Sequence, residues 1–214
     1  MSTKINLKEL ERKAWRSVFQ DGLWDMYLGF LLLTMGIGPV LPALDTPIMW
    51  TLAILLMLSV LAWLGFWAGK KFITTPRMGL VKFGPQRKAK LKKTRAVLFL
   101  SALLGVIMLV LRALWNVEWA AIPIPAYVWA VQAFVVFGLG AYFLDVSRFY
   151  AYGILYAIPV PVGLALLQNT GLPGLMFLPF GVSGGVMVII GVALFIRFLH
   201  DYPVPAEVVS DGNR

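Results

Sequence analysis

IMWTLAILLMLSVLAWLGFWA, residues 48–68, runs for twenty-one residues without one charged side chain. A helix of that length rises about 30 Å, the thickness of a bilayer's hydrocarbon core. The pattern recurs on both sides of it. Further apolar runs over Leu23–Leu41, Ala96–Leu114, Ala126–Leu144, Phe149–Leu167 and Leu175–Phe198 bring the expected spans to six. The whole chain agrees: 60% of its 214 residues are hydrophobic and 14% charged, with mean hydropathy +0.81. A soluble domain is about 45–50% apolar and about 25% charged, so this excess calls for lipid as its solvent. The expected fold is an all-α, polytopic bundle of six transmembrane helices. The first run is read as a retained helix, since a basic segment of mixed charge before it is too long for a signal peptide.

Charge sets the expected orientation. Of 19 Lys and Arg, five precede residue 17 and ten lie between Lys70 and Arg95. With the N-terminus inside, segments 1–22, 69–95, 145–148 and the tail from Leu199, with the adjoining helix ends, hold every basic residue except Arg112. The outer loops carry only Asp45 and Glu118. The positive-inside rule then predicts cytoplasmic N- and C-termini in a plasma (inner) membrane. Trp50, Trp115, Trp119, Tyr127 and Trp129 would form the outer aromatic belt, and Trp15, Trp24 and Trp67 the inner one.

Three domains of behaviour follow. Residues 1–22 carry Leu7, Leu10, Ala14 and Val18 at helical spacing beside Lys8, Arg12, Lys13 and Arg16, which predicts an amphipathic helix along the inner leaflet. It either bends at Gly22 or continues straight into the first span. Residues 23–198 form the transmembrane domain. Within it the basic loop 69–95 divides into FITTPRMGLVKFG, read as loop or hairpin from Pro76, Gly79 and Gly84-Pro85, and QRKAKLKKTR, read as a cytoplasmic extension of the third span. Residues 199–214 are the tail.

Cysteine is absent, which removes thiolate chemistry, and His200 is the single histidine, which argues against a histidine metal cluster or catalytic triad; no cofactor is called for. No HExxH, GxSxG or Walker loop occurs. The membrane runs hold almost no acidic residues, against the habit of proton-coupled pumps and ion channels.

Three features remain as candidate sites. The first is FQDGLWDMYLGF, residues 19–30, where Asp21 and Asp25 enter the first span. On one helix they share an arc with Gly29, Leu32 and Gly36, a small-residue face suited to close helix contact. They should therefore point into the bundle and need cationic partners, for which Arg148 or Arg77 lie at the right depth. The second is Arg87, Lys88, Lys90, Lys92, Lys93 and Arg95, beside the membrane and expected to attract anionic lipid headgroups. Nucleic acid is disfavoured because no stacking aromatics interrupt the run. The third is AIPVPVGLAL, where Pro159, Pro161 and Gly163 should kink or unwind the fifth helix. Gly181 and Gly185 mark a small-xxx-small surface for internal packing or a homo-oligomer.

The leading functional expectation is a non-enzymatic scaffold or accessory subunit that binds anionic lipid, or a cytoplasmic or membrane protein partner, on its basic side. A small transporter using the proline-broken helix with Asp21 and Asp25 is the alternative. A membrane-embedded enzyme acting on lipid headgroups is the third.

Overall fold

The computed structural model describes residues 19–78, 85–115 and 124–203. The amphipathic helix expected over 1–22 lies outside the described residues as far as residue 18, as do residues 79–84 of the basic loop and the tail beyond residue 203. Among the described residues all regular structure is helical: α1 (Leu23–Ile37), α2 (Val40–Ala43), α3 (Ile48–Ala68), a π-helical turn (Gly69–Thr74), α4 (Thr75–Met78), α5 (Pro85–Trp115), α6 (Ile124–Leu144), α7 (Arg148–Ala157), α8 (Pro159–Thr170), a 3-10 turn (Pro173–Met176) and α9 (Phe177–Asp201). Among the described residues five stretches are long and apolar enough to cross a membrane: Leu23–Ala43, Ile48–Met78, Ala126–Leu144, Arg148–Thr170 and Pro173–Asp201. The expected third span, Ala96–Leu114, lies inside the 31-residue α5.

Local chemistry sets the ends. Pro47 is extended (φ −55°, ψ 144°) and its carbonyl accepts the Thr51 N–H at 3.0 Å, so α3 starts directly behind it. At the end of α1 the Gly38 N–H bonds Met35 O, a tightened turn, and Pro39 has no donor with which to continue the ladder. Asp145 takes a left-handed conformation (φ 57°) after α6, and Val146 N–H closes back on Ala141 O at 3.1 Å. This is a Schellman-type stop, and it aims the chain straight into α7.

Three expectations change here. The segment from Phe72 read as loop is helical to Met78. Pro76 is accommodated because the preceding turn is already widened into a π-helix, where the i→i+4 ladder that proline would interrupt is offset. Second, Ile158 keeps right-handed helical dihedrals (φ −70°, ψ −42°) and both accepts from Val162 N–H and donates to Ile154 O. The interruption at Pro159 is thus one residue long and the helix does not unwind. Third, Gly22 has φ 73°, so α1 starts after a bend and Asp21 is not on the helical face of Asp25.

Packing radiates from α1. It lies between α3 and α9, and its contact with α9 is the most extensive between any two helices. Gly29 sits against Gly184 and Val188, with a methyl at Gly29 falling 2.8 Å from Gly184 O. Gly36 meets Phe180, and Gly22 meets Gly191. The paired positions descend on one helix as they rise on the other, an antiparallel contact at backbone distance. Gly181 and Gly185 do not make it: a methyl at Gly185 would meet nothing within 4 Å. Beyond α9, helices α7 and α8 pack on α6, and α5 on α6. Gln132 on α6 donates to the Ser101 carbonyl (2.8 Å) and hydroxyl (2.6 Å) on α5, while Lys90 meets Asp145 further along. The two helices therefore run antiparallel. The core gathers Leu32, Met187, Tyr152, Tyr156, Phe149 and Phe180. By contrast α3 buries only Thr51 and turns large apolar side chains outward.

Candidate functional site

Charge collects at one end of the bundle, where α1 begins, α3 ends and α7 begins. Asp21 and Asp25 are both fully buried there, at 0% exposure. Burying a carboxylate requires ion pairing and hydrogen bonds to replace water, and each aspartate receives them from a different helix.

Asp25 occupies the first turn of α1. Arg148, the first residue of α7, places Nη2 2.8 Å from Oδ2 and Nε 2.6 Å from Oδ1. The Nε contact is Coulombic, because its N–H is not aimed along a hydrogen bond. Tyr152, one turn along α7, donates its hydroxyl to Oδ1, and Arg148 also donates to the Phe19 carbonyl. A turn further on, the Tyr156 hydroxyl donates to Leu28 O at 2.6 Å, and Trp129 Nε1 donates to Tyr156 O at 2.9 Å. The i, i+4, i+8 spacing of Arg148, Tyr152 and Tyr156 thus puts three polar tips on the α1-facing side of α7.

Asp21 precedes the bend at Gly22. Its Oδ2 accepts from Lys70 Nζ at 2.6 Å and from Thr74 Oγ1 at 2.8 Å, and Oδ1 accepts the Leu23 N–H at 3.3 Å. Lys70 and Thr74 both belong to the π-helical turn, which presents them together to α1. Thr75 adds a bond from Oγ1 to Lys70 O at 2.7 Å, which braces that turn. The aspartates carry two negative charges and Lys70 and Arg148 two positive ones, so the cluster is neutral as a set.

The structure therefore brings Asp25 to Arg148, as the sequence anticipates, and gives Asp21 a partner that the sequence reading missed. Arg77 joins neither. Its Nη1 donates to the carbonyls of Leu199 (3.3 Å) and Tyr202 (2.8 Å), capping the C-terminal end of α9. A guanidinium there meets the orphan carbonyls and the negative end of the helix dipole. Lys70, Thr74 and Tyr152 had a signal: Lys70 is the first charge after α3 with Thr74 at i+4, and Tyr152 stands at i+4 from Arg148.

The basic run divides between α5's faces. Lys90 pairs with Asp145 at 3.3 Å, Lys93 Nζ lies 5.9 Å from the Phe143 ring centroid, and Lys92, Lys93 and Arg95 are exposed. Arg87 and Lys88 are in the described backbone of α5, but their side chains lie outside the described residues. Between α5 and the α6–α7 turn is a polar cavity of about 660 Å³, lined among others by Gln20, Lys90, Asp145, Ser147 and Arg148. At the third candidate, Pro159 is fully buried and Gly163 faces the Met176 carbonyl and the Pro179 ring, closing that depth against α9. Among the described residues no three His, Cys, Asp or Glu gather as a metal site. Comparison with protein-family models, curated proteins and solved structures finds nothing that matches this chain.

Proposed function

We propose that the chain is a non-enzymatic membrane scaffold or accessory subunit that binds anionic lipid headgroups along α5, with six crossings and both termini cytoplasmic. The observation that carries the reading is the build of α5. One uninterrupted helix, about 46 Å long at 1.5 Å per residue, bears Lys92, Lys93 and Arg95 exposed at its start and apolar side chains beyond. Its antiparallel contact with the apolar α6 supports a third crossing over Ala96–Leu114, which makes the number even.

The same geometry favours a scaffold over the other two readings. Both buried aspartates have their oxygens taken by cations, hydroxyls and a backbone N–H, which suits locking helices together better than binding a transported ion. A transport path needs a polar cavity beside Pro159, but Pro159 is fully buried and Gly163 one turn on meets Met176 and Pro179. A headgroup-cleaving enzyme on the expected pattern would open Asp21 and Asp25 to a lipid-facing pocket, whereas the polar cavity is lined by Asp145 and Arg148.

The test is native mass spectrometry of the detergent-purified chain titrated with phosphatidylglycerol or phosphatidylcholine. Phosphatidylglycerol should bind more tightly, and Lys92→Gln with Lys93→Gln should reduce the preference about fivefold per cation at about 1 kcal/mol each. Raised salt should reduce it as well. Equal binding of the two lipids by the unaltered chain would remove the proposal.

A further inference from the structure

The polar cavity has an apolar neighbour. A second cavity of about 480 Å³ lies between α1, α5, α6 and α7, lined by Trp24, Tyr27, Leu28, Leu98, Val136 and Gly140 among others. Phe19 lines both cavities. Three adjacent residue pairs straddle the boundary: Lys90 and Leu91, Asp145 and Leu144, Arg148 and Phe149, the first of each on the polar side and the second on the apolar side. Both volumes fall in the range of ligand pockets, about 300–1,000 Å³. We propose that the two cavities are the two chambers of one phospholipid site, the polar chamber holding the phosphodiester headgroup and the apolar chamber an acyl chain.

Gly140 carries the argument for the apolar half. It is buried, yet a methyl added to it would meet no atom within 4 Å beyond its own stretch of helix. Its Cα therefore borders the open space of the apolar cavity rather than a packed neighbour. Close-packed interiors leave few voids larger than a water molecule, and one lined by Trp, Tyr, Leu and Val suits hydrocarbon better than water. Thr94 and Arg95 also line it, one turn along α5 from Lys90 and Leu91.

The polar half supplies the chemistry for a phosphodiester. Lys90 and Arg148 both line it, and the Lys90–Asp145 pair is long at 3.3 Å with both side chains partly exposed. A phosphate oxygen can be inserted there without breaking a buried pair. Asp25 matches the charge of Arg148 and Asp145 that of Lys90, so a phosphodiester enters by competing with Asp145 for Lys90 across this long, half-exposed pair. Gln20 and Ser147 add groups able to bond glycerol or headgroup hydroxyls. The site rests on the lipid-binding reading above but differs from it in kind. Lys92 and Lys93 attract a loosely held shell of lipid, whereas this site holds one molecule between helices.

That difference defines the experiment. The chain is purified, stripped by extended detergent exchange, and its retained phospholipid counted by native mass spectrometry before and after adding phosphatidylglycerol. About one molecule should resist stripping. Gly140→Leu should fold and lose it: the new side chain displaces two or more methylenes, each worth about fourfold in affinity, so retention falls about tenfold or more. Gly138→Leu is the matched control. Gly138 is also open to a methyl but lines neither cavity, so retention should stay at the unaltered level. If Gly140→Leu aggregates on gel filtration, Leu98→Trp fills the chamber from α5 and should give the same loss.

Lys92→Gln with Lys93→Gln should reduce the surface preference while leaving the retained molecule in place. In the unaltered chain, absence of the preference with one molecule still retained counts against the surface reading alone, and a preference with no molecule retained counts against the two-chambered site alone. Retention by Gly140→Leu equal to that of Gly138→Leu would overturn the proposal. So would displacement of the lipid by soluble glycerol phosphate alone at low millimolar concentration, which would mean that the apolar chamber contributes nothing.

Discussion

Asp25 shows how a single buried carboxylate organises its surroundings. Its partners come from α7 alone, and Arg148 retains partial exposure, with about a quarter of its side chain accessible. Removing the charge strands the guanidinium beside a neutral group, and breaking a buried pair costs about 3–5 kcal/mol. Asp25→Asn is expected near the lower end because the guanidinium keeps its bond to the Phe19 carbonyl and some access to water. Thermal unfolding in detergent would show the loss, and Asp25→Asn with Arg148→Gln should recover a measurable part of it. Additive effects would show that the two residues do not act as a pair. The Asp25–Arg148 pairing was legible because a buried acid at a span's entrance needs a base at the same depth. The signal at Lys70 and Thr74 was passed over, because a segment read as loop gives its side chains no direction. Only a helix continuing through Pro76 aims Lys70 and Thr74 together at Asp21.

Helix α1 is fixed on two levels, by charge at its start and by backbone proximity to α9 along its length. The sequence marks glycines on both helices, and the Gly29 and Gly36 face of α1 was readable from phase alone. On α9 the reading chose Gly181 and Gly185 from their spacing, whereas the contact uses Gly184 and Gly191. Spacing names a possible face but not which face meets a partner; that depends on the rotation imposed by α8 and by the 3-10 turn at Pro173–Met176. The distinction is testable on adjacent residues. Gly184→Leu drives a side chain into Gly29 and Leu33, so it should separate α1 from α9 and lower the unfolding temperature sharply. Gly185→Leu enters open space and should leave that temperature nearly unchanged. Similar losses for both variants would mean that the rotation of α9 is different.

For the molecule as a whole, hydropathy fixed the class and most of the span boundaries, because apolar length is a local property. The peripheral or central place of each helix is not local. Helix α3 is among the most apolar stretches yet packs chiefly on α1 and leaves one face outward, while the more polar α7 lies at the core. Tyr152 and Tyr156 can be central because their hydroxyls find Asp25 and Leu28 O; without those partners the same helix would be excluded from the interior. Contacts also tie the depths together. The Asp21–Lys70, Asp25–Arg148 and Lys90–Asp145 pairs hold the start of α1, the end of α3, the start of α5 and the α6–α7 turn at one end of the bundle. The turns at Asp45 and Gly171 follow the spans Leu23–Ala43 and Arg148–Thr170, which begin there, so both belong at the opposite end. Absence of cysteine makes this accessible to thiol labelling without background. In intact cells Asp45→Cys and Leu172→Cys should react with a membrane-impermeant maleimide, whereas Lys92→Cys and His200→Cys should react only after the membrane is opened. Leu172 and Lys92 are exposed, so a failure to label reports sidedness rather than burial. Labelling of Lys92→Cys in intact cells would reverse the proposed orientation. Labelling of Asp45→Cys and Lys92→Cys from the same side would contradict the bundle itself, since no single membrane plane could then hold α1 and α3 across it with their charged ends together.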